Sequence, residues 1–149
     1  MNDFIYFWIH SPLATAIIGW FLAQLIKVIL VLIKNKKIDF SRFVGSGGMP
    51  SSHSAIVTAL STAICITDGY RSSSFALSVV LALIVMYDAA GVRRAAGQQA
   101  KILNRIVDEW SKSSFSENEK KLKELLGHSP KEVFAGAILG IIIGIIRHM

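Results

Sequence analysis

The sequence predicts an all-α integral membrane protein, a helical bundle of about four spanning helices with an amphipathic surface helix. Three observations carry that prediction. First, 52% of the 149 residues are hydrophobic and only 17% are charged, too few to clothe a soluble domain of this size. Second, the apolar residues come in long blocks, as lipid requires, rather than scattered through the chain. Third, thirteen of the sixteen lysines and arginines fall in two segments, 34–51 and 91–132, which four spans would place on one face.

The first block runs from Leu13 to Ile33, with Pro12 suited to its first helical turn and Lys27 interrupting it. The second, Ser52 to Thr67, is short and rich in Ala, Ser and Thr, a composition that favours helix contact over lipid contact. The third runs from about Phe75 to Ala90 and the fourth from about Val133 to Ile146. Gly136, Gly140 and Gly144 recur every four residues in the fourth block, so they form a smooth ridge. The ridge suits close approach of another helix, from this chain or from a second copy in a homo-oligomer. Between the third and fourth blocks, Gly91–Trp110 has the apolar period of a helix lying on the membrane or against the bundle. A loop over 112–118 follows, and Ser116 with Glu119 starts a short helix that Gly127 ends.

Residues 1–149 form one domain in this reading. The basic face is expected to be cytoplasmic and both termini outside. The N-terminus lacks the basic region and cleavage site of a signal peptide, and a lone Cys65 allows no disulfide framework. The net charge of +6 is assigned to anionic headgroups, because the cations sit between apolar blocks and stacked aromatics do not interleave them. His10 and His148 are expected near the opposite face, on the surface.

Two segments of the basic face carry candidate chemistry. In Gly47-Gly48-Met49-Pro50-Ser51-Ser52-His53, a glycine turn leads into a serine-capped helix start, an anion site by its free N–H groups. Ser51 and Ser52 add hydroxyls, and His53 occupies the first turn. In Gly127-His128-Ser129-Pro130-Lys131-Glu132, the second helix start, Ser129 and Glu132 have capping-box spacing. The same Glu132 has the spacing to hold one nitrogen of His128 and leave the other for nucleophilic attack. Spacing alone leaves both roles open. Asp88 at the end of the third block and Lys27 within the first are ionisable groups at membrane depth, structural or functional.

Pro50-Ser51-Ser52-His53 resembles the Pro-Ser-Gly-His motif of the type 2 phosphatidic acid phosphatase superfamily, which includes the vanadium haloperoxidases. His128 through Glu132, followed by Val-Phe-Ala-Gly-Ala, resembles the last motif of that superfamily. Tyr87-Asp88-Ala89-Ala90-Gly91-Val92-Arg93-Arg94-Ala95-Ala96-Gly97 is similar to a signature of its small divergent branch. The resemblance implies an all-helical, metal-independent phosphatase with no cofactor. It hydrolyses a lipid or prenyl mono- or diphosphate, a step of phospholipid metabolism, through a phosphohistidine. Carried over, His128 is the nucleophile, Glu132 its orienter and His53 the general acid. Ser51, Ser52, Arg93, Arg94, Arg42 and Lys27 are then the candidate phosphate-binding residues. The chain departs from the pattern at four points. The family's first motif, a lysine followed at a distance by Arg-Pro, has no counterpart, and Lys27 and Arg42 are its candidate stand-ins. The arginine upstream of the nucleophile is Leu122, between Lys121 and Lys123. Glutamate and serine replace the usual aspartate and glycine. These departures keep two alternatives open: an inactive relative that binds anionic lipid or aids assembly, and a small transporter.

Overall fold

The computed structural model describes residues 7, 8, 10–35, 48–111 and 127–149. They form five helices and, among the described residues, no strand: α1 (Pro12–Asn35), α2 (Ser52–Asp68), α3 (Ser73–Ala90), α4 (Val92–Ser111) and α5 (Pro130–His148). The expected short helix after Ser116 lies outside the described residues.

Local chemistry fixes the helix ends. Ser51, Ser72 and Ser129 stand extended before α2, α3 and α5, and each hydroxyl accepts a backbone N–H from the first turn. After α2, Gly69 turns the chain at φ +87°, a conformation that side chains disfavour.

α2 is the central helix. It packs against α1, α3 and most extensively α5, whereas α4 touches α3 alone among the described helices. The seam between α2 and α5 is the glycine ridge. A methyl group added at Gly136 would overlap the Ser51 carbonyl, and one at Gly140 would overlap Thr58 Oγ1 and the Ala55 carbonyl. Thr58 crosses the same seam, donating to the Ala137 carbonyl at 3.1 Å. The ridge is therefore filled by the chain's own α2, and a contact between copies would have to use another face.

Side chains are distributed inside out relative to a soluble protein. The buried apolar residues are Ala14, Ala16, Ala23, Ala55, Val57, Ala59, Ala63, Ala82, Ala89 and Ile143, nearly all small. The large ones, such as Leu13, Ile33, Leu77, Leu83, Ile84 and Ile146, are exposed. Small residues let backbones approach where lipid, not water, surrounds the bundle. Two helical stretches, Pro12–Ile33 and the one beginning at Ser73, are long and apolar enough to cross a membrane. Their most apolar windows are only 28% and 17% buried, whereas the core helix of a soluble protein would be mostly enclosed. The protein is an all-α membrane bundle. α2, with 17 residues, is short and enclosed, and α5 carries Lys131, Glu132 and Arg147 near its ends.

At the end away from the glycine turn, α1 and α5 are stapled together. Arg147 donates to Thr15 Oγ1 at 3.2 Å and to the Trp8 carbonyl, and His148 Nε2 lies 2.8 Å from Thr15 Oγ1. His10 is exposed there as expected, but His148 is half-buried in this network rather than a surface residue. Its helix brings it against α1, a tertiary contact with no sequence signature.

Candidate active site

Four helices meet at the opposite end. The N-termini of α2 and α5 lie side by side, because the Ser51 N–H donates to the Glu132 carbonyl at 2.9 Å. The C-terminal turn of α3 closes the group, its Ala89 carbonyl accepting the His128 N–H at 3.1 Å. α1 contributes Lys27, whose ammonium donates to Ser52 Oγ at 3.2 Å while the residue is only 3% exposed. Gly48, at φ +86°, shapes the approach to α2.

His128 is the largest fully buried side chain among the described residues. Its Nδ1 lies 3.2 Å from Glu132 Oε2, and the same oxygen accepts the Ser129 N–H at 2.9 Å. The Glu132 N–H in turn donates to Ser129 Oγ at 3.4 Å, completing a capping box. The two roles that spacing left open for Glu132 are thus compatible, because a single carboxylate oxygen serves both. A carboxylate on Nδ1 makes Nδ1 the protonated nitrogen and leaves the lone pair on Nε2, which is buried. The His53 ring meets His128 edge to face, with centroids 5.7 Å apart and planes at 64°. Glu132 is also near enough to Lys27 for their charges to interact.

Of the residues singled out above, His128, His53, Glu132, Ser51, Ser52 and Lys27 come together here. Ser51 is spent on structure in this arrangement: it is wholly buried and its hydroxyl caps α2 at 3.3 Å from the Ser54 nitrogen. Arg94 is exposed on α4, a helix that contacts neither α2 nor α5. Arg42 and the side chain of Arg93 lie outside the described residues. Asp88 is half-buried beside Ala89. The contribution that sequence reading missed is the Ala89 carbonyl, a backbone group that any residue at that position would supply.

A model of one protein family, the divergent PAP2 family, matches residues 8–143. The chain belongs to that family. A relative agrees on the membrane setting: the chain is 45% identical over 147 residues to the uncharacterized membrane protein YuiD of Bacillus subtilis (strain 168). The match covers 92% of this chain and 93% of that protein. No solved structure matches. Membership of the divergent PAP2 family spans every residue of the cluster, from Lys27 through His53 and His128 to Glu132.

Proposed function

We propose that this protein is a multi-pass membrane phosphatase that hydrolyses a lipid or prenyl phosphate through a phosphohistidine on His128. The observation that carries the reading is the buried His128, paired with a half-buried Glu132 and facing the His53 ring, at two helix N-termini beside a buried lysine. In the proposed reaction His128 Nε2 attacks phosphorus while Nδ1–H remains on Glu132. The bond from phosphorus to the lipid oxygen breaks, and protonated His53 gives that oxygen its proton. Water then attacks the phosphohistidine, His53 takes a proton from it, and inorganic phosphate leaves. Phosphoryl transfer depends chiefly on positioning and on positive charge at the non-bridging oxygens. Lys27, Ser52 and the N–H groups at the start of α2 supply that character. Purified protein is expected to release phosphate from at least one member of a panel of lipid phosphates. It should also carry an acid-labile, base-stable phosphoryl group when quenched during turnover. Silence across the panel, with lipid phosphate still binding, would favour an inactive lipid-binding relative.

Lys27 gives a sharper test. A buried lysine within a span is costly to fold, and replacing such a charge with an apolar residue of similar length is often neutral or stabilising. Lys27→Met is therefore expected to keep or raise the unfolding temperature in detergent while lowering phosphate release roughly 100-fold. Lost stability together with full residual activity per folded molecule would assign Lys27 to structure.

The excess of cations on its face supports a cytoplasmic site. Met49 is exposed near the site, and Tyr70 is exposed at the other end of α2. In a Cys65→Ala background, Met49→Cys should react with an impermeant thiol reagent only after lysis, and Tyr70→Cys in intact cells. The reverse pattern would move the substrate to the outer leaflet.

A further inference from the structure

α4 turns its apolar stripe away from the protein. Its buried positions are Gly97 and Asn104, two helical turns apart and hence on one side. Ile102, Leu103 and Ile106 lie on the opposite side and are 60%, 48% and 51% exposed. The largest apolar residues of the helix face outward, with no described helix covering them. Lys101 and Arg105 are exposed on the flank between the two sides, and Arg94 adds a third exposed cation. Over its length α4 has four cations against two acids, and the exposed Arg105–Glu109 pair at 3.2 Å only partly offsets this excess.

We propose that α4 is an in-plane anchor seated in the headgroup layer of the bilayer, where its stripe dips among the acyl chains and its cationic flank gathers anionic lipid. Two features select this occupant. The stripe continues a surface already given to lipid, since α3 leads into it with exposed Leu77, Val80, Leu83 and Ile84. The charge complements phospholipid headgroups, and an apolar face with a basic flank is the composition of interfacial helices. A second copy of the chain, with the same basic flank, would meet it with like charge.

The test uses the full chain in lipid nanodiscs, in a Cys65→Ala background. An environment-sensitive fluorophore is attached through Leu103→Cys, Ile106→Cys or Lys101→Cys, one at a time. Labels at 103 and 106 should be blue-shifted and quenched by a nitroxide carried near the lipid headgroup, and the label at 101 by aqueous iodide. The proposal fails if iodide reaches 103 and 106 as readily as 101. It fails equally if those two labels are blue-shifted but indifferent to nitroxide lipid, the signature of a protein partner. Moving the nitroxide from phosphatidylcholine to phosphatidylglycerol at equal mole fraction should raise quenching at 106 roughly two- to fivefold. Lys101→Gln with Arg105→Gln should bring that ratio towards one. Equal quenching by both lipids in the unsubstituted helix, or a ratio that survives neutralisation, would overturn the anionic preference.

Discussion

Alanine in place of His128 is expected to lower phosphate release by roughly four to six orders of magnitude, the scale seen when a covalent nucleophile is removed. The effect should fall on turnover rather than on substrate affinity, because Lys27, Ser52 and the helix N-termini remain to hold the phosphate. Stability needs separate measurement. His128 is 1% exposed, and its loss leaves a cavity and a carboxylate with one partner fewer. A cost of about 2–4 kcal/mol would follow from the cavity and the lost bond together. His128→Asn fills more of the space and keeps a donor for Glu132, so it should fold better and be equally inactive. Phosphate release within tenfold of the parent in either folded variant would remove His128 from the mechanism.

The second large effect is on folding. Gly140→Leu should prevent α5 from docking on α2, because even the first added carbon overlaps Thr58 Oγ1 and the Ala55 carbonyl. Both belong to α2, which is itself held on three sides, so the seam must open rather than adjust. The expected loss is at least about 3 kcal/mol, beyond ordinary overpacking, because backbone lies in the path. Ile142→Ala, on the exposed side of the same helix, should change stability by less than about 0.5 kcal/mol. Thermal unfolding in one detergent would rank the two. Adding atoms to the smallest residue should hurt more than deleting most of a large one, the reverse of a soluble core. A Gly140→Leu protein as stable as the parent would mean that α2 and α5 do not pack as described.

The sequence made the helices legible because each is bounded by local chemistry. Apolar blocks end at charged or glycine-rich segments, and serines stand where α2, α3 and α5 begin. The two histidines, Glu132 and Lys27 were legible as candidates, although spacing left Glu132 equally a helix cap and Lys27 equally structural. Their assembly was not legible. The bond from the His128 N–H to Ala89 joins residues 39 positions apart through main-chain atoms, which leave no compositional trace. The stripe of α4 was visible as a period, but periodicity reports that a face is apolar without naming its cover, and in a membrane either protein or lipid will serve. Arg94 shows the limit from the other side. It belongs to a family-like signature, yet it is exposed on a helix that contacts neither α2 nor α5.

One consequence of the doubled duty of Glu132 concerns how relatives should be read. The carboxylate begins α5 whether or not any phosphate is ever cleaved, so selection for a folded protein alone would retain it. Its presence in another chain therefore says little about catalysis. Lys27 is the opposite case: it occupies a costly buried position and has no cap or turn to justify it. A lineage that abandons the reaction should lose that lysine early and the glutamate late. The order in which the two disappear would serve as a record of when the chemistry was given up.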